Sequence, residues 1–145
     1  MDFFSKKSQL INELENIHFL NSFDIIQDDD ETLFLKTVQK SDNTQDKCVI
    51  CLVLENDRAY SLINYSIAKL IDHNKKEVML NLLNKLNSDS LILKYTINED
   101  NYINASISYF GANNFDAEEF VNLIWVGYQG ISKVYPDILE TLWCW

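Results

Sequence analysis

The residues in this chain with the types and spacing to do chemistry are Cys48 and Cys51, the acidic run Asp28-Asp29-Asp30-Glu31, and the two histidines, His18 and His73. Two cysteines separated by two residues match many zinc sites and redox pairs. A redox pair, however, sits at a helix N-terminus, where the dipole lowers the thiol pKa. Here both lie in an apolar run, Cys48 to Leu54, that reads as a strand. Strand side chains alternate between faces, so these two thiols point apart and share neither one metal nor one disulfide. No second cysteine pair or histidine nearby in sequence completes four ligands. Both read as buried thiols.

The acidic run lacks the spaced carboxylates, central glycine and distal glutamate of a calcium loop, and reads as a solvated hairpin turn. Each histidine lies beside the end of an expected element, with no serine or cysteine placed as a nucleophile beside it. Three scattered glycines exclude a glycine-rich phosphate loop. The expectation is a protein that is not an enzyme and holds no metal or cofactor. A hydrolase on an unrecognised site has only the abundance of acidic residues behind it.

The elements are more legible than the chemistry. Leu10, Ile11, Leu14 and Ile17 form the stripe of a first helix. Phe23 to Ile26 and Thr32 to Val38 read as a hairpin through the aspartates, and Gln39 to Lys47 as a polar loop with its tip at Ser41-Asp42-Asn43-Thr44, the most mobile segment expected. Cys48 to Leu54 is apolar throughout, as in a strand covered on both faces, either in the middle of the sheet or at a partner surface, and Ala59 to Ile67 returns beside it. Asn74 is placed to cap a second helix carrying Met79, Leu82, Leu83 and Leu86.

Leu91 to Ile97 and Ile103 to Tyr109 alternate as a second hairpin. A long helix follows, with Asp116 as cap, Glu119 reaching back to it, and Phe115 and Phe120 as a hydrophobic staple. Gly127 and Gly130 within it imply close packing, and Pro136 implies a kink near Val134 or a restart. The order is α-β-β-β-β-α-β-β-α, an α+β domain with an antiparallel sheet flanked by three helices.

At 145 residues the chain reads as a single domain, residues 1–145, large enough to bury roughly 70% of its unfolded surface. Apolar residues make up 47% of it, while glycine and proline number only three and one, which is the composition of a globule. A net charge of −10 with no cluster of Lys and Arg argues against nucleic acid and anionic membranes as partners. No run reaches the ~18–20 apolar residues of a membrane span, and the N-terminus lacks a signal peptide's pattern. Three cysteines without a framework agree with a cytoplasmic location.

With that order in view, the chain resembles the YbjN family, whose fold is that of the type III secretion chaperones. The likeness is carried by Glu77 to Asn87 on the second helix, Tyr102 to Phe110, the acidic start Asp116-Ala117-Glu118-Glu119, and Val134-Tyr135-Pro136-Asp137-Ile138-Leu139. The Asp28 to Asp30 turn and the Gln39 to Lys47 loop have no match in it. The resemblance implies a homodimer that binds another protein or peptide segment, chaperone-like or regulatory.

Apolar residues beyond what three helical stripes can cover imply a partner surface, placed at Ile50, Leu52, Leu54, Ile63, Tyr65, Tyr102 and Phe110. The tail residues Trp143 and Trp145 are expected to dock on the body or on a second copy. The alternative is a small acidic inhibitor or immunity protein that neutralises a basic toxin or enzyme.

Overall fold

Six segments rich in β-branched and aromatic residues pair into one antiparallel sheet in the computed structural model, which describes residues 2–40, 47–111 and 114–143. The chain runs α1 (Phe3–Asn16), β1 (Asp24–Asp28), β2 (Thr32–Lys40), β3 (Lys47–Glu55), β4 (Ser61–Lys69), α2 (Lys76–Asp89), β5 (Lys94–Ile97), β6 (Tyr102–Tyr109) and α3 (Ala117–Trp143). Sheet order is β1-β2-β3-β4-β6-β5, so the hairpin that follows α2 returns with β6 against β4. This is the α+β architecture and element order read from the sequence.

The sheet is buried on one side. Leu33 and Leu35 of β2, Ile50, Leu52 and Leu54 of β3, Ile63 and Tyr65 of β4, and Ile103, Ala105 and Ile107 of β6 point into one core with Leu10 and Leu14 of α1, Met79 and Leu83 of α2, and Phe120, Ile124 and Ile131 of α3. Burial therefore alternates along residues 33–37 of β2, 50–54 of β3 and 61–67 of β4. β3, apolar from Cys48 to Leu54, lies inside the sheet between β2 and β4, one of the two places expected for it, although within the described residues only one of its faces is covered. Val49, Cys51 and Val53 are only half-buried and lie outside the core.

Side chains fix the junctions. The Asp29 carboxylate accepts from the backbone N–H groups of Glu31 and Thr32 and from Gln27 Nε2, closing the β1–β2 turn. Lys7 Nζ of α1 meets Asp28 at 2.6 Å and so ties the first helix to that hairpin. His18 has φ 58° just beyond α1, where the chain turns out of the helix. At α3, Asp116 Oδ1 accepts from Glu119 N at 3.2 Å and the Phe115 and Phe120 rings lie 5.5 Å apart, as expected. Glu119 does not close the capping box directly. The Tyr109 hydroxyl stands between, accepting from Asp116 N at 3.3 Å and donating to Glu119 Oε2 at 3.2 Å.

Several boundaries differ from the sequence reading. Gln39, Lys40 and Lys47, read as loop, are strand, while the tip, residues 41–46, lies outside the described residues. Asp72, not Asn74, supplies the cap before α2: its Oδ1 accepts from Asn74 N and opens a 3₁₀ turn, His73–Lys75. β5 starts at Lys94, and Leu91 is fully exposed because Ser90 Oγ accepts from Leu93 N and turns the chain first. α3 is continuous through Pro136.

The alternation can be tested by substitution in β3. Leu52→Ala should destabilise by about 2–5 kcal/mol through the cavity it leaves, and Val53→Ala by about 1 kcal/mol or less. Urea unfolding of the two variants distinguishes them, and equal losses would contradict a one-sided sheet. Gly127→Ala should cost about 1–3 kcal/mol despite its gain in helix propensity. The added Cβ meets the Tyr65 hydroxyl, with Tyr65 Cζ at 2.7 Å and Ile107 Cδ1 at 2.9 Å. Tyr65→Phe in the same chain should recover part of that loss.

Candidate partner-binding surface

Because all three helices pack on one side, the other side of the sheet has no described element over it. The strand register sets its composition. One row across it reads Gln27, Phe34, Val53, Leu62, Ser108, and the next reads Asp24, Lys36, Cys51, Asn64, Ser106, Lys94. A third carries Val38, Val49, Ser66, Asn104 and Thr96. Phe34, Val49, Val53 and Leu62 are half-buried by their neighbours alone, and Val38 is exposed. Phe34, Val53 and Leu62 are neighbours in one row and Val38 and Val49 in another, and the two apolar groups join only along β3 through Cys51, between Lys36 and Asn64. At one end of the face Phe110 is 73% exposed and its ring lies 5.6 Å from that of Tyr60. At the other end Lys69 Nζ sits 5.5 Å from the centre of the Tyr102 ring.

The residues expected at a partner surface divide sharply. Ile50, Leu52, Leu54, Ile63 and Tyr65 are buried in the core under the helices and are unavailable to a partner, which corrects the sequence reading. The error is one of parity, since a shift of one residue along a strand exchanges the faces. Tyr102 and Phe110 do lie on the open face. Trp143 is 63% exposed at the end of α3, beside Ile71 and Leu142 in a cleft of about 260 Å³, and Trp145 lies outside the described residues.

Phe34, Val49, Val53 and Leu62 were missed. The signal for them was present in β4, where polar Asn64 and Ser66 alternate with Ile63, Tyr65 and Ile67 and mark the outward parity that pairing passes to Val53, Cys51 and Val49.

Cys48 and Cys51 fall on opposite faces as their spacing implies. Cys48 borders a small cavity of about 60 Å³ with Ile67, Tyr128, Ile131 and Tyr135, and Cys51 lies between Lys36 and Asn64 on the open side. Burial, and secondarily the neighbouring Cys51, pushes the Cys48 thiol up to about 12. Burial also raises Cys51, with Lys36 opposing. These shifts make both thiols poor nucleophiles. Burial raises the Tyr65 phenol too, and its hydroxyl donates to the Ile124 carbonyl at 2.6 Å. A groove of about 340 Å³ between α2, β5 and α3 is lined by Leu82, Leu86, Leu93 and Val134 with Lys85 and Asp137 at its rim. Among the described residues no group of three or more His, Cys, Asp or Glu is placed to hold a metal ion, and no helix is long and apolar enough to cross a membrane.

The chain matches no protein-family model, no curated protein and no solved structure.

The thiols give a chemical check. At pH 8 iodoacetamide should modify Cys48 in the folded protein far more slowly than in urea, read by peptide mass spectrometry. Rapid native labelling of Cys48 would contradict its burial. Because folding favours the protonated forms of Cys48 and Tyr65, stability should be intact below pH 9.0 and fall as pH rises through the range 9.0 to 12. Unfolding midpoints measured across that range test the sign.

Proposed function

We propose that this domain is a non-catalytic protein-binding module, chaperone-like or regulatory, that acts as a homodimer and holds another polypeptide. The observation that carries this reading is the open sheet face, where Phe34, Val53 and Leu62 lie in one row and Val38 and Val49 in another with no described helix over them. Apolar side chains grouped in this way on a folded domain mark a contact site more often than idle surface. The resemblance to the YbjN family and the secretion chaperones points the same way, and the homodimer rests on that resemblance. Burial is the first cause of the shifts at Cys48, Cys51, Tyr65 and Tyr95, and Lys36, which faces Cys51, opposes it there.

The test compares affinity captures from native cells using the tagged wild type and Val53→Glu. Val53 lies outside the core, so the variant should stay folded by circular dichroism. The wild type should retain a polypeptide in stoichiometric amount and Val53→Glu should lose at least about 90% of it, as expected for a charge placed in a desolvated contact. Light scattering on the purified protein should give twice the chain mass. A monomer with identical captures from both proteins would overturn the reading.

A further inference from the structure

Around the apolar row of the open face, the two sides carry opposite charges. Phe34, Val53 and Leu62 make the row, with Gln27 and Ser108 at its ends. The next row on one side is Asp24, Lys36, Cys51, Asn64, Ser106 and Lys94. On the other side stand Thr32 and Glu55, continued by Tyr60 and Phe110, whose rings are 5.6 Å apart. Lys36 and Glu55 thus flank the row from opposite sides on neighbouring strands. Four residues along the strands separate their rows, about 13 Å, so the two do not meet within one chain. Lys36 forms no ion pair among the described residues, and Glu55 holds Arg58 at 2.6 Å.

We infer that the open sheet face joins two copies of this chain face to face, about a two-fold axis that runs across the strands along the row of Phe34, Val53 and Leu62. The inference rests on the homodimer of the reading above and names the surface that joins the copies.

Such an axis lays the apolar row on itself and exchanges the rows beside it. Each Lys36 then stands over Thr32 of the second copy, one strand spacing of about 4.8 Å from its Glu55, and sheets packed about 10 Å apart keep both side chains in reach. The contact is made twice. Gln27 and Ser108 meet their own copies, and each side chain both donates and accepts hydrogen bonds. Asn64 and Ser106 come over Tyr60 and Phe110, covering a ring that is 73% exposed in the single chain. Asp24 comes over the Asp29 turn only at the β1 rim, where like charges in solvent cost little, and Lys94 lies at the opposite rim. Six strands about 4.8 Å apart and four to nine residues long make a face of roughly 700 Å², close to the roughly 800 Å² per partner of a stable interface. The sheet edges offer the copies less. At β5 the Asn87 side chain already donates to the Tyr95 carbonyl at 3.0 Å and accepts from Tyr95 N at 2.6 Å. The outer edge of β1 is open, but pairing two copies antiparallel about Ile26 sets Asp24 opposite Asp28, and the bulge between Ile25 and Gln27 breaks the ladder.

The experiment measures the dimer dissociation constant of the full chain by analytical ultracentrifugation, for the wild type, Val53→Glu, Lys36→Glu and Glu55→Lys, each checked for folding by circular dichroism. Val53→Glu should be monomeric, and it should lose the captured polypeptide through loss of the dimer. Lys36→Glu and Glu55→Lys should each weaken the dimer at least about tenfold, because each sets like charges together twice. Mixing these two single variants should restore it. Native mass spectrometry should show a mixed dimer at least about tenfold tighter than either variant with itself, since in that pair both contacts are again between opposite charges.

A wild-type dimer that all three variants leave intact would overturn the interface and leave the homodimer standing. A wild type that is monomeric at the highest attainable concentration would overturn both. Variants that weaken the dimer with no preference for the mixed pair would overturn the two-fold arrangement, and so would a different protein found on the face in place of the second copy.

Discussion

Tyr65 holds this fold in its one-sided form. It sits on the central strand β4, crosses the core, and ends in a hydroxyl that donates to the Ile124 carbonyl of α3 at 2.6 Å. A phenol that deep requires an acceptor, since an unsatisfied buried hydroxyl costs about 1–3 kcal/mol. It also requires space on the helix, and Gly127 provides it one turn beyond Ile124. With α3 seated over β4 and β6, α1 packs beside it, and α2 bridges from β5. Lys75 Nζ donates to the Leu142 carbonyl and joins the start of α2 to the end of α3. The buried stripes of all three helices are thereby spent on one face of the sheet, while Phe4, Val78, Leu80, Val126 and Trp143 on the helices stay exposed.

The sequence and the structure agree where periodicity carries the information. The stripe from Phe120 to Leu142 predicts α3, and the alternation around Ile63 and Ile107 predicts β4 and β6, because burial on one side imposes those periods. Gly127 was legible as close packing because glycine inside a helix is costly unless another group needs the room. The open face was not legible from β3 alone, where apolar residues at successive positions hide which parity faces inward. Its identity depends on pairing with β4, a relation between distant segments. The cap at Asp72 and the Tyr109 relay at α3 were missed for a similar reason, since each depends on geometry brought together by folding.

The same geometry accounts for the quietness of the candidate chemistry. Cys48 faces the core and Cys51 the open side, so their spacing in sequence brings no shared site. The acidic run is consumed in a turn whose carboxylate binds backbone amides and whose neighbour pairs with Lys7. What the open face offers instead is half-buried Phe34, Val49, Val53 and Leu62 with exposed Val38, beside lysines of the same strands.

The central claim is that the helices cover one sheet face and leave the other open, and a soluble paramagnetic probe tests it directly in the full chain, diluted until it is monomeric. Methyl resonances of Val49, Val53 and Leu62 should broaden strongly as the probe is added, while those of Ile50, Leu52 and Ile63 should be protected. Equal protection of both sets would show the outer face to be covered and would contradict the account.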